Sequence, residues 1–269
     1  MKQTAKGYKV LTILVINSKG GSGKTTLTTN LASYYATRQQ RTAIIDYDPQ
    51  GSSLHWLQAR PKNLPVIQAA NGAPPKGNIR LGSRQGWVPP ETEVLLIDAP
   101  AGIGGLLLKE LVRKANYILI PVSPSPIDIR ASADFIKDLF LVGGARTANA
   151  RMAVVASRVR NRSNAAYSAL ERFLTSLKMP FLTSLSDSEI YLQAAEQGTG
   201  IFELDENESA KERQEFMPIV RWLDGYFPNR HGVRAEDKLA SLESSRKWAS
   251  FRPGNSTGNY PVYRRPEES

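Results

Sequence analysis

Residues 19–26 read Lys-Gly-Gly-Ser-Gly-Lys-Thr-Thr, and the fold turns on that stretch. An apolar run, Val10 to Ile16, leads into it, and a helical pattern, Leu27 to Ala36, leads out. Strand, glycine loop, helix is the setting in which a phosphate-binding loop works. Gly20, Gly21 and Gly23 carry no Cβ, so the backbone can curl with its N–H groups aimed inward at an anion. Ser22 and Thr26 complete the cradle, and the helix that follows adds its positive N-terminal end. Lys24 then meets the β- and γ-phosphates of ATP, and the Thr25 hydroxyl ligates Mg²⁺. A flexible glycine-rich turn would need the same glycines. It would not need Gly-Lys-Thr between a β-run and a helix.

Two further stretches sit where such a site needs them. Ala43 to Asp46 is an apolar run ending in the first of two carboxylates one residue apart, within Asp46-Tyr47-Asp48-Pro49-Gln50-Gly51. Strand alternation sends Asp46 and Asp48 to one side, at the sheet edge where doubly wound folds hold ligands. Val94-Leu95-Leu96-Ile97-Asp98-Ala99-Pro100 has the form of a Walker B strand, with Asp98 holding Mg²⁺, usually through water. An Asp-Pro turn after a strand is common. All three stretches in this order are not.

The rest of the chain alternates β-type and helical runs, which predicts an α/β fold: a doubly wound, mostly parallel sheet flanked by helices. Strands are expected at Val10–Ile16, Ala43–Asp46, Val66–Ala69, Val94–Asp98, Tyr117–Val122 and Ala153–Ala156, with a shorter one near Phe181. Helices are expected at Thr25–Arg38, Ser53–Ala59, Gly105–Lys114, Asp128–Leu141, Asn164–Leu177 and Glu189–Glu196. A last helical pattern, Ser209–Tyr226, contains Pro218, which should kink or restart it. Arg60–Pro90 reads as a surface excursion around one strand. The expected division is a nucleotide-binding domain over 1–227 and a basic, partly disordered tail over 228–269, with a short helix at Ala235–Trp248.

Composition narrows the function classes. A chain of 269 residues can bury one large core. No apolar run approaches the ~20 residues that span a bilayer. The polar segment Met1–Lys9 runs straight into the first strand, so no signal peptide is read. With no cysteine, disulfides, thiolate metal sites and Cys nucleophiles are excluded, and a cytoplasmic location is expected. His55 and His231 are too far apart to make a metal-ligand spacing. The net charge of +10 points to a polyanionic partner, although a well-solvated basic surface would give the same figure.

The loop departs from the general P-loop pattern, with Ser18 in place of the first glycine and a second lysine, Lys19, at its start. Lys-Gly-Gly-x-Gly-Lys-Thr resembles the deviant Walker A signature of the ParA/MinD family of dimeric ATPases. That resemblance implies that Lys19 crosses a nucleotide-sandwich homodimer to the partner's phosphates. Asp46-Tyr47-Asp48-Pro49-Gln50 is similar to the family's switch segment. This implies a hydrolytic role for Asp48 beside Lys19 and Lys24, and a place for Asp46 near the Mg²⁺ hydration shell. Ile120–Asp128, and Asp187–Tyr191 followed by Ala194, Ala195 and Gly198, resemble small ParF-like partition ATPases, a subgroup that includes the carboxysome-positioning McdA ATPases. Arg158, after the Ala153–Ala156 strand, falls where family members contact adenine. The resemblance covers roughly 8–227.

The implied activity is ATP hydrolysis stimulated by DNA and by a cargo adaptor protein, in an ATP-dependent dimer bound nonspecifically to double-stranded nucleoid DNA. Lys211, Arg213 and Arg221, in the last helical pattern, are the candidate DNA contacts. Glu212 and Glu215 offer the competing reading of a solvated face, and Arg246, Lys247, Arg252, Arg264 and Arg265 of the tail are another source of charge. A MinD-like membrane ATPase would need an amphipathic C-terminal helix with a continuous apolar face. Ala235–Trp248 is short and Pro266–Ser269 is polar, which disfavours the membrane. A bacterial tyrosine autokinase would carry a tyrosine-rich tail, and here there are Tyr260 and Tyr263. A nitrogenase-type iron protein is excluded by the missing cysteines. Metabolic ligases of the same fold stay open.

Overall fold

The computed structural model describes residues 10–73, 87–141, 150–162, 165–177 and 179–225. The tail helix at 235–248, the disordered tail and the polar segment 1–9 lie outside the described residues. Among the described residues seven strands make one sheet in the order β3-β2-β4-β1-β5-β6-β7. They are β1 (Leu11–Val15), β2 (Thr42–Asp46), β3 (Ile67–Asn71), β4 (Val94–Asp98), β5 (Tyr117–Val122), β6 (Arg151–Val159) and β7 (Phe181–Ser186). Every pairing is parallel. β1, β2 and β5 are buried along their whole length, which explains why they read as continuous aliphatic runs rather than alternating ones.

Among the described residues seven helices cover the sheet: α1 (Lys24–Thr37), α2 (Ser52–Ala59), α3 (Gly105–Lys114), α4 (Pro126–Leu141), α5 (Ala165–Ser176), α6 (Glu189–Glu196) and α7 (Ala210–Asp224). A 3-10 turn, Ile201–Glu203, lies between α6 and α7. On one face Leu27, Leu31 and Tyr35 of α1, Trp56 of α2, Tyr191 of α6 and Phe216, Ile219, Val220 and Leu223 of α7 form one core. On the other, Leu108, Leu111 and Val112 of α3, Phe135, Ile136 and Leu139 of α4, and Tyr167, Leu170 and Leu174 of α5 form the second. The sheet is therefore doubly wound, as expected.

Two local expectations change. Pro218 does not restart a helix, because α7 runs unbroken through it. The proline removes one backbone donor, but the buried row Phe216, Ile219, Val220 and Leu223 anchors the helix on both sides of that gap. β6 is longer than expected, so Arg158 lies within the strand rather than after it.

The strand order places the functional stretches together. β1 lies between β4 and β5, and β4 lies between β1 and β2. In register, Val15 and Asp46 both pair with Asp98. Three strand ends, each followed by one of the chemically marked stretches, therefore meet at a single C-terminal edge.

Candidate nucleotide site

The phosphate loop leaves β1 and turns into α1 through Gly23, whose φ of 91° a side chain would strain. Lys24 Nζ donates to the Lys19 carbonyl at 2.9 Å, so the ammonium spans the loop from its last residue to its first. Burial lowers the Lys24 pKa, while Asp98 and then Asp48 oppose that shift. Ser22 Oγ donates to the same Lys19 carbonyl at 3.1 Å. Ser157, on β6, donates to the Ser22 carbonyl at 2.6 Å and holds the loop from behind.

Lys19 behaves differently from Lys24. Its side chain is 42% exposed and reaches no group inside the loop, lying 3.6 Å from Asp128 in the first turn of α4. Gly102 N donates to the Ser18 carbonyl at 2.8 Å, which fixes the loop after β4 beside the base of Lys19. That flank is uncharged from Ala99 to Leu108, and the other from Ala115 to Ile127. Leu106 and Ile127, in the first turns of α3 and α4, stand 84% and 72% exposed.

Thr25 Oγ1 donates to Asp98 Oδ2 at 2.9 Å. Asp98 is buried, and its Oδ1 has no hydrogen-bond partner among the described residues. Burial, with Asp46 adding to it, pushes the Asp98 carboxyl up to about 7. A buried carboxylate oxygen without a donor fits a cation held directly or through water. The Thr25 hydroxyl and Asp98 thus fit the Mg²⁺ expected there.

Both oxygens of Asp46 accept hydrogen bonds within the fold. Oδ1 accepts from the Asp48 amide at 2.8 Å, while Oδ2 accepts from the Ser53 amide at 3.0 Å and the Ser53 hydroxyl at 2.7 Å. Asp46 organises the turn; Asp48 lines the cavity.

That cavity, of about 930 Å³, opens along the sheet edge. Gly20 to Thr26, Asp48 to Gln50 and Pro100 line the candidate phosphate end, and Arg158, Arg160, Leu185 to Glu189, Tyr191 and Leu192 line the other. Arg158, at φ 56°, points Nη1 to within 3.4 Å of the Gly21 carbonyl and Nε to within 3.4 Å of Asp187 Oδ1. Arg160 donates to Asp187 Oδ2 at 2.8 Å, and these guanidiniums, Arg160 first, hold the Asp187 carboxyl below its ordinary range. Sequence reading missed Ser157 and Arg160. The one available signal was a polar residue directly continuing the apolar run Ala153–Ala156.

The three DNA candidates do not share one environment. Lys211 and Arg221 are exposed on α7. Arg213 is spent inside the fold, donating to the Ile201 carbonyl at 3.1 Å, Ser209 Oγ at 2.8 Å and the Leu204 carbonyl at 2.7 Å. It ties α7 to the 3-10 turn.

Residues 13–201 match the CobQ/CobB/MinD/ParA nucleotide binding domain. The chain belongs to this ParA/MinD family of nucleotide-binding ATPases. It is 31% identical over 203 residues to maintenance of carboxysome distribution protein A of Halothiobacillus neapolitanus, an alignment spanning 73% of this chain and 88% of that protein. Among solved structures it resembles a Cyanothece McdA–ATP complex, with TM-score 0.58 and 15% identity over 85% of this chain and 100% of that one. It also resembles Pyrococcus horikoshii MinD with Mg-ADP, with TM-score 0.60 and 14% identity over 84% of this chain and 100% of that one. At these identities the structures speak for the fold, which is the one described above.

Proposed function

We propose that this ParA/MinD-family chain is a positioning ATPase. Two copies close face to face on ATP, the dimer holds duplex DNA without sequence preference, and hydrolysis stimulated by a cargo adaptor protein releases it. The observation that carries the reading is the contrast between the two lysines of one loop. Lys24 is buried and serves the phosphates of its own subunit. Lys19 is 42% exposed and pairs at 3.6 Å with Asp128 rather than with its own loop, a partly solvated pair it can exchange for the phosphates of a second copy, and the chain segments carrying Leu106 and Ile127 beside it bring no other charge. Charge depletion around apolar side chains is the composition of an interface core.

In the bound state Lys24 and the loop amides carry the β- and γ-phosphate charge. Thr25 and Asp98 would hold Mg²⁺, which would supply charge neutralisation there. Asp48 orients the attacking water and takes up its proton. The relative from Halothiobacillus neapolitanus is named for carboxysome distribution, which favours a carboxysome-like protein assembly over a plasmid as cargo. The domain spans 1–227, and the basic tail at 228–269 supplements the DNA contacts of Lys211 and Arg221.

Light scattering with ATP and with ADP tests the central step. The parent should double in mass with ATP alone, and Lys19→Gln should stay monomeric. Equal masses in both nucleotides would overturn the reading.

A further inference from the structure

We propose that Ser53 is a positioning residue for hydrolysis, acting on Asp48 through Asp46; this rests on the role given to Asp48 above. Asp46 ends β2 with no exposed surface and stands in register with the buried Asp98 of β4. Two carboxylates at neighbouring strand ends repel, so each needs donors to stay in place. Among the described residues the Ser53 hydroxyl is the only side-chain donor to Asp46, at 2.7 Å, and the Ser53 amide adds a second bond to the same oxygen at 3.0 Å.

The other oxygen of Asp46 receives the Asp48 amide at 2.8 Å. One carboxylate therefore clamps both ends of the turn from 46 to 53, and the backbone of Asp48 hangs from it. Inside that turn Gly51 N donates to the Asp48 carbonyl at 2.9 Å, and Gln50 N donates to Asp48 Oδ1 at 2.9 Å. Asp48 faces the nucleotide cavity, whereas Ser53 is fully buried and outside its lining. Without the hydroxyl, the Asp46 carboxylate keeps one bond to the Ser53 amide but is free to rotate about its terminal torsion. Rotation moves Oδ1 away from the Asp48 amide, and Asp48 loses its fixed aim. Because the amide bond survives, Ser53→Ala should fold.

The test compares parent, Ser53→Ala, Asp48→Ala and the double variant in single-turnover hydrolysis at saturating ATP and Mg²⁺, with ATP affinity measured alongside. Ser53→Ala should hydrolyse roughly ten- to hundred-fold more slowly, the scale of a small misplacement of a reacting group. Its ATP dissociation constant should stay within about two-fold, because the loss is confined to the reactive step. In the Asp48→Ala background the same substitution should have no further effect. Amide hydrogen exchange at Asp48 should be faster in Ser53→Ala, a readout independent of turnover.

A parental rate for Ser53→Ala, an equal slowing in the Asp48→Ala background, or unchanged exchange at Asp48 would each overturn the proposal. Asp48→Ala turning over at the parental rate would instead overturn the role of Asp48, and this proposal with it.

Discussion

Lys24 and Asp48 line one cavity, and the duties proposed for them are separable. Lys24→Ala removes the buried ammonium that closes the loop and its attraction to Asp98 and Asp48. Charge-assisted contacts of this kind are worth about 1.5–3 kcal/mol each, so ATP affinity should fall by at least roughly ten- to hundred-fold, read by calorimetric titration. Asp48→Ala leaves the phosphate loop intact. It should bind ATP with near-parental affinity and hydrolyse it about 10²–10³-fold more slowly, as expected for loss of a positioned base. Nucleotide binding and single-turnover hydrolysis on the same preparation separate the two.

At the level of elements, the segment after α6 is where α2 and α7 are joined. Arg60, at the end of α2, pairs with Glu203 of the 3-10 turn, and both side chains are almost fully buried. Trp56 Nε1 donates to the Thr199 carbonyl at 3.0 Å, and Arg213 reaches the same turn from α7. Removing one member of a buried pair strands the other charge and costs about 3–5 kcal/mol. Glu203→Ala should lower the unfolding free energy by that amount in urea titration. The Arg60→Ala, Glu203→Ala double variant should lose less than the sum of the two single losses. Arg213→Ala should also destabilise, since its guanidinium satisfies two backbone carbonyls and a hydroxyl within the fold.

For the whole molecule, the proposal joins a nucleotide-closed dimer to a polyanion. The net charge of +10 is consistent with that partner. Lys211 and Arg221, both exposed on α7, are the substitutions that test it. Replacing both with alanine should weaken ATP-dependent binding to random duplex DNA and flatten its salt dependence, by about 0.9 in slope for each phosphate no longer neutralised. Fluorescence anisotropy across a salt series reads both effects, with dimer mass followed in parallel. Deleting 228–269 separates the contribution of the tail. A slope unmoved by both changes would assign the charge to a different partner.

The sequence by itself determined the strand–loop–helix start, the order of the three acidic and glycine-rich stretches, and the doubly wound class. Each of these is written locally, in hydrophobic period and in loop chemistry. Strand and helix positions fell close to expectation for the same reason, and α3 begins and ends at the predicted residues. Burial and partners were decided only by tertiary structure. Arg213 and Lys211 look alike in sequence, yet one satisfies the carbonyls of Ile201 in the 3-10 turn and of Leu204 just after it, and the other is exposed. Asp46 and Asp48 look like a matched pair, yet parallel register buries Asp46 beside Asp98 and turns it toward Ser53. Ser157 supports a loop 135 positions earlier in the chain, a relation no local pattern carries. Side chains so far apart in sequence acquire their roles only when strand order brings their backbones to one edge of the sheet.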